Sequence, residues 1–279
     1  MQPPAESLSS DQVDLHRWRT NHLDALERAI HESRDHLVPW FPWAADTGRQ
    51  QTADFLARMR RKWETGEAYG YAITSHAEVI GTCVLMRRIG AGGLEIGYWL
   101  HPARTGRGLV TMACTALTAQ GFGLPGIDRI EIRHDAANHA SGAVARRLGF
   151  TEVERVPAPE GPIAPAESGI DVIWRMTSDQ WRTRPTLTFV RHTDGLRHRF
   201  ERDGEHDGRP AYRRTDGNVW CVWSAAEGWH CRIADGRVTA HPADGRADGP
   251  LPPAAVWRSF KDDRSYLYDL RTEPGPFRA

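Results

Sequence analysis

Lysine is nearly missing from this sequence. Of 36 basic residues only Lys62 and Lys261 are lysines, and the remainder are arginines. A skew of that kind follows coding composition, so arginine abundance alone is not read as a phosphate-binding surface. Net charge is missing too: 36 basic residues stand against 36 acidic ones, which removes any global pull toward nucleic acid or an anionic membrane. No apolar stretch approaches the roughly 18 residues that span a bilayer. The opening MQPPAESLSSDQ lacks the basic and then apolar run of a signal peptide. Cysteine is sparse as well. Four residues (Cys83, Cys114, Cys221, Cys231) in a chain this long make no disulfide framework, and no Cys-x-x-Cys pair suggests zinc. A cytoplasmic protein without a metal is the expectation.

What is present is globular: 279 residues, 40% hydrophobic and 26% charged, long enough for about two domains. Up to about residue 182 helical and strand periods alternate. VDLHRW (13–18) alternates like a strand, and Thr20 stands where an N-cap would, before Leu23, Leu26, Ala29 and Ile30 on one helix face. A second helix fits 49–65. Strands fit 68–74, 78–88 and 94–100, and a helix follows HPARTGRG through about Phe122. RIEIRH (129–134) is a strand, 138–149 a helix, and 150–156 and 171–176 are strands. The class is mixed α/β, of the α+β kind. Beyond Arg182 the helical period stops, and DG, DGN, EGW, ADG and PADG turns punctuate short strands over 186–270. The predicted domains are 10–182 and 186–279, the second a small all-β module.

The stretch EIGYWLHPARTGRGLVTMACTAL (95–117) carries the chemistry. A buried strand enters a turn with Gly106 and Gly108 at the mouth of a helix. The first helical turn offers unpaired N–H groups and the positive end of the macrodipole, and glycine lets a ligand reach the backbone. A phosphate-bearing ligand fits there. The lysine of a P-loop and the three-glycine dinucleotide spacing are both absent.

This run resembles the pyrophosphate-binding motif of the GNAT N-acetyltransferases, Gln/Arg-x-x-Gly-x-Gly/Ala. Here it reads Thr105-Gly106-Arg107-Gly108-Leu109-Val110, with Thr105 in place of Gln or Arg and Val110 in place of the last small residue. Two further segments resemble the RimJ/RimL-type branch: HLVPWFPWA (36–44), and Asn138-His139-Ala140-Ser141 leading to Ala145-Arg146-Arg147-Leu148-Gly149-Phe150. The resemblance implies a GNAT fold, a mixed and splayed sheet flanked by helices, that moves acetyl from acetyl-CoA directly to a primary amine. It also implies pantetheine against the backbone of Tyr98, Trp99 and Leu100, and pyrophosphate on the amides of Arg107, Gly108, Leu109, Val110 and Thr111.

Direct transfer needs a base for the ammonium proton and an acid for the departing thiolate. Glu95, on the strand near its splay point, is the candidate base; its other reading is a strand-end carboxylate facing solvent. Ser141 is the candidate for the thiol side, because the tyrosine many members carry farther along that helix is replaced by Arg146. Asn138 could cap the helix, bind pantetheine, or both. Cys114 reads as packing, and His101 and His134 as candidate substrate contacts.

Four of eleven tryptophans, Trp220, Trp223, Trp229 and Trp257, fall in the last third. They read as the core of a small β module, with nucleic-acid stacking disfavoured by the balanced charge and zinc by the adjacency of His230 and Cys231. The module resembles small β repeats of undefined role appended to enzymes, and is expected to pack or to bind a partner protein. A protein N-terminal α-amine is the expected acceptor. A small amine or antibiotic-like molecule is the alternative, to be decided by loops 36–50 and 157–169. A reading of another class is a non-catalytic acyl-CoA-binding scaffold. Oligomeric state is left open, with a homodimer possible.

Overall fold

The computed structural model describes residues 3–9, 12–182, 185–261 and 263–274. The expected outer limits at residues 10 and 279 lie outside the described residues. Two compact units divide the chain, one built largely on residues up to Ser178 and the other largely on residues from Asp179 onward. Among the described residues no helix is long and apolar enough to cross a membrane.

The first unit is built on one eight-stranded mixed sheet. In chain order its elements are β1 (Ser7–Ser9), β2 (Asp14–Arg17), α1 (Leu23–Glu32), α2 (Arg34–Leu37), α3 (Arg49–Thr65), β3 (Ala68–Ser75), β4 (Glu78–Met86), β5 (Gly93–Leu100), α4 (Leu109–Gly123), β6 (Arg129–Asp135), α5 (His139–Arg147), β7 (Thr151–Pro157) and β8 (Ile170–Thr177). The strand order is β1-β2-β3-β4-β5-β6-β8-β7. Every neighbour is antiparallel except β5 and β6, which run parallel across the α4 crossover. The mixed, helix-flanked α/β sheet expected from the sequence is present.

Local chemistry sets the elements. The β3–β4 hairpin closes through His76 and Ala77, both at positive φ (50° and 63°), so the tight turn forms without glycine. Thr20 is not the cap of α1. It opens a single 3-10 turn, Thr20–His22, in which the His22 N–H donates to the Arg19 carbonyl three residues back, and the α-helix starts at Leu23. Strand β4 ends at Met86, two residues short of expectation, which leaves Arg88 beyond the strand.

Side chains alternate between the two faces of β5. Trp99 joins Trp18, Leu26, Leu56 and Met59 in the core beneath α1 and α3. Leu94 lies on the other face with Leu85 and Ile130, close to Gly121 of α4. Helix α4 buries residues on several sides, including Leu109, Ala113, Cys114, Leu117 and Phe122, as an interior helix does. Trp18 is 2% exposed and donates its indole N–H to Thr82 Oγ1 at 2.9 Å, while that hydroxyl donates to the Tyr71 carbonyl. The buried polar atoms there are paired.

The second unit begins with α6 (Ser178–Arg182) and is a closed antiparallel barrel. Its strands are β9 (Pro185–Arg191), β10 (Arg197–His206), β11 (Arg209–Arg214), β12 (Val219–Ser224), β13 (Gly228–Ile233), β14 (Val238–Pro242), β15 (Val256–Lys261) and β16 (Arg264–Pro274). Strand β16 returns to pair with β9, so no edge is left exposed. Leu187, Phe189, Phe200, Tyr212, Trp229, Trp257 and Leu270 fill the core, and Cys221 faces Cys231 across β12 and β13 within it. Trp220 and Trp223 are only partly buried and lie beneath the guanidiniums of Arg213 and Arg209.

The first unit depends on one close approach. A Cβ at Gly81 would lie 2.3 Å from the Trp99 carbonyl oxygen, where β4 meets the end of β5. Gly81→Ala is therefore expected to lower stability by roughly 2 kcal/mol, seen as a lower urea midpoint. An unchanged midpoint would mean that the strand ends separate without cost.

Candidate active site

The site begins where two strands part. β5 and β6 pair over four positions only, from Gly93↔Arg129 to Ile96↔Ile132. Beyond that β5 stays with β4 as far as Gly81↔Leu100, and β6 stays with β8 as far as Asp135↔Asp171. Each strand follows its antiparallel partner, and a gap opens between them. The His101 N–H donates to the Ile80 carbonyl at 2.7 Å, which fixes the alternation of backbone groups. By that alternation Tyr98 and Leu100 turn their amides and carbonyls into the gap, whereas Trp99 turns its own toward β4. The three expected backbone contacts thus divide two to one.

At the gap's far end the chain makes a short 3-10 turn (Pro102–Arg104) and enters α4. Gly106 and Gly108 both adopt left-handed φ (73° and 74°), and a Cβ placed on Gly106 would meet nothing within 4 Å. Among the described residues no acceptor meets the amides of Arg107, Gly108, Leu109 or Val110. The first turn of α4 carries no acidic residue. Thr111 is buried, and its carbonyl accepts from the Thr115 hydroxyl. Thr105 turns its hydroxyl back to the Pro102 carbonyl at 2.8 Å, so the residue standing in place of Gln or Arg serves its own turn. Arg107 is exposed at the mouth.

Glu95 lies one residue before the gap, on the face opposite α4. It is 3% exposed, so the solvent-facing reading is overturned. The Arg88 guanidinium holds both its oxygens, with Nε 2.8 Å from Oε2 and the second nitrogen on Oε1. Directly beside it on β6 is Glu131, 1% exposed, whose oxygens are held by Arg133 (2.9 Å) and Arg175 (2.9 Å from Nε). Arg133 also approaches Glu95 Oε2 to 3.7 Å. Two like charges side by side on neighbouring strands repel, and three guanidiniums above them compensate. Asp171 borders the same group. Burial pushes its carboxyl above the usual range, against the lowering effect of Arg133.

On the α4 face, Ser141 Oγ and Tyr98 Oη are 2.8 Å apart. This joins the first turn of α5 to the far end of β5, across the gap. From sequence only the backbone of Tyr98 is implicated; the sole signal for its side chain is its parity on β5, opposite to Glu95. Asn138 caps α5, its Oδ1 accepting from the Ser141 N–H at 3.1 Å, which leaves its Nδ2 as the donor for a ligand. His134 accepts the Trp174 indole N–H at 2.9 Å and lies against Gly142 of α5, and Arg146 covers Trp174. The position of the missing tyrosine is thus spent on packing. His101 sits apart, with Nε2 3.3 Å from Glu32. Cys114 is buried, and burial pushes its thiol up, so it packs.

The two loops expected to choose the acceptor meet. The Ala166 N–H donates to the Pro39 carbonyl at 3.0 Å. The later loop is latched to β6 by Asp135, whose carboxylate accepts from the amides of Ala137, Ser168 and Gly169 and from the Ser168 hydroxyl. Trp43 (44%) on one loop and Ile163 (60%) on the other stay exposed.

A model of the family described as "Acetyltransferase (GNAT) domain" matches residues 12–151. The chain belongs to the GNAT acetyltransferases. This acetyltransferase is 38% identical over 154 residues to YdaF of Bacillus subtilis (strain 168), which bears the provisional name of a ribosomal N-acetyltransferase; the match takes in 51% of this chain and 80% of that protein. Among solved structures, the ribosomal L7/L12 α-N-protein acetyltransferase RimL in complex with coenzyme A superposes with a TM-score of 0.58 at 22% identity, over 63% of this chain and 99% of that one. The microcin C7 self-immunity acetyltransferase MccE, solved with acetyl-CoA and AMP, gives 0.56 at 20% identity, over 60% and 93%. At such identities these structures share the fold.

The Asp135 latch makes a prediction in pH. Burial would raise its carboxyl, but the bonds from Ser168, Ala137 and Gly169 outweigh burial and hold it below the usual range. A carboxyl lowered on folding contributes stability above its unfolded value, about pH 4, and loses it as pH falls through the lowered value. Asp135→Ala should therefore lower the urea midpoint at pH 7, with the gap to the parent closing on acidification. A gap constant from pH 7 to pH 3 would show that the carboxylate does not act through its charge.

Proposed function

We propose that this enzyme transfers acetyl from acetyl-CoA to a primary amine, and that the favoured acceptor is the N-terminal α-amine of a protein. The observation that carries the reading is the parted β5/β6 pair, with Glu95 on one face of the gap and the Tyr98–Ser141 pair on the other. The residues fit the cofactor. Backbone groups of Tyr98 and Leu100 suit the pantetheine amides, and the unmatched amides from Arg107 to Val110, at a helix start without acidic side chains, suit the pyrophosphate. Nδ2 of Asn138 is a further donor. CoA or acetyl-CoA in the RimL and MccE structures supports the same ligand here. When bound, it supplies the activated acetyl group.

The chain's own residues do the rest. Glu95, once free of Arg88, takes a proton from the ammonium and makes it a nucleophile. Ser141 gives its hydroxyl proton toward the sulphur position and takes one from Tyr98 Oη, and the second proton lost by the amine nitrogen, carried by water, restores Tyr98, so the pair does the work of the tyrosine absent from α5. A protein acceptor is favoured by the exposed Trp43 and Ile163 on the joined loops, an apolar border suited to an extended peptide, and by the names borne by YdaF and RimL. Use of acetyl-CoA on such acceptors supports our proposal of a cytoplasmic enzyme. We propose residues 10–182 as the catalytic domain and 186–279 as an appended module that packs or binds a partner.

Glu95→Gln should lower turnover by about 10²-fold or more with acetyl-CoA affinity unchanged by calorimetry. Tyr98→Phe and Ser141→Ala should each slow turnover, and the double variant should be little worse than the slower single, because the two act as one unit. Parent-like rates in Glu95→Gln would move the base elsewhere. Separately, a chain ending after residue 183 should stay folded and bind acetyl-CoA with parental affinity; an insoluble product would refute the proposed boundary.

A further inference from the structure

The candidate base is occupied. Both oxygens of Glu95 are held by Arg88, so an arriving ammonium must either share the carboxylate with that guanidinium or displace it. Departure alone leaves the buried carboxylate with only the longer contact to Arg133, 3.7 Å from Oε2, which is unfavourable. An arriving ammonium does not solve the problem by itself, because it would displace one cation and leave that cation unmatched beside Arg133. The group is balanced as it stands: Glu95, Glu131 and Asp171 against Arg88, Arg133 and Arg175. A bare amine brings a positive charge that nothing in the group answers. An amine whose own molecule carries a nearby anion brings none.

We infer that the acceptor carries an anionic group, a carboxylate or a phosphate, beside its amine, and that this group draws Arg88 off Glu95 as the ammonium takes its place. The inference rests on the reading of Glu95 as the base. The exchange keeps the number of ion pairs constant: Arg88–Glu95 is replaced by ammonium–Glu95 and Arg88–anion. Arg88 is suited to move. Its side chain is 60% exposed, it lies beyond the end of β4, and its hydrogen bonds are to Glu95 alone among the described residues. Arg133 and Arg175 are more enclosed (37% and 39%) and stay on Glu131. Arginine also suits the receiving end, since its planar fork takes a carboxylate or phosphate by two bonds. Proton transfer from the ammonium then leaves neutral Glu95–H and a free amine. After the amide forms, Glu95 releases its proton to water and Arg88 returns. In a protein acceptor the anion would be an Asp, a Glu or a phosphorylated side chain within the first residues.

The test uses the full-length enzyme, acetyl-CoA and two hexapeptides that differ only in Asp or Asn at their second position. The acidic peptide should show a kcat/KM higher by about ten-fold or more, and the ratio should shrink as salt is added. Arg88→Met should bring the ratio to about one, and Arg88→Lys should restore part of it. A merely structural Arg88 would lower both peptides alike and leave the ratio unmoved, which would overturn the inference. So would equal kcat/KM for the two peptides in the parent enzyme, the result expected if Arg88 simply swings to Asp171. If neither peptide reacts but small amines do, the protein acceptor fails on its own, and the same comparison between an amino acid and its amide decides the inference by the same ratio. If no amine is acetylated, the proposed transfer and this inference fall together.

Discussion

Everything at this site depends on a disagreement between neighbours in a sheet. Among the described residues β5 and β6 are the only parallel pair, and each is also bound antiparallel to another strand that continues past the point where they separate. The four shared positions are fewer than those either strand makes with its outer partner, so the outer partners decide the direction. By the alternation along β5 the backbone groups of Tyr98 and Leu100 face the gap, an arrangement that suits an extended chain of amides. The same parting gives the site two sides, with Glu95 facing one way and Tyr98 the other.

Electrostatics then separates the two sides by character. On the α4 side the groups are hydroxyls, an amide and open backbone N–H groups, which suit a ligand that must be bound and must receive a proton. On the other side two buried carboxylates lie under three arginines. The carboxylates are buried but their arginines reach solvent, so losing one partner costs less than the about 3–5 kcal/mol of a fully buried pair. An acceptor that preserves the balance of charge avoids that cost. Fold and selectivity share a cause here, because the register that sets Glu95 beside Glu131 also creates the need for the arginines.

Much of the frame is readable from residues alone. Periodicity marks α3 as 49–65, its observed bounds, and the glycines at 106 and 108 mark the mouth of α4. The splayed, mixed sheet follows from resemblance rather than from pattern. What the sequence does not disclose are the pairings made by long side chains and by register. Arg88 is seven residues from Glu95 and reads as the tail of a strand. Tyr98 and Ser141 are 43 positions apart, and nothing in either segment points to the other. The bond from Ala166 to Pro39 joins two loops whose spacing carries no period at all. In the tail, turn dipeptides announce strands, but closure of β16 onto β9 depends on a pairing between the first and last strands of the unit. Thr20 fails as a cap because local 3-10 bonding takes the turn before the α-helix can start.

The central claim is that the parted strands and the start of α4 together seat the CoA chain. Its most direct test is a titration of ¹⁵N-labelled protein with acetyl-CoA, followed by amide chemical shifts. The account predicts saturable shifts at Tyr98 and Leu100 together with Leu109 and Val110, with a much smaller change at Trp99, whose amide faces β4. Saturable binding that leaves those four amides unmoved and shifts others instead would contradict it.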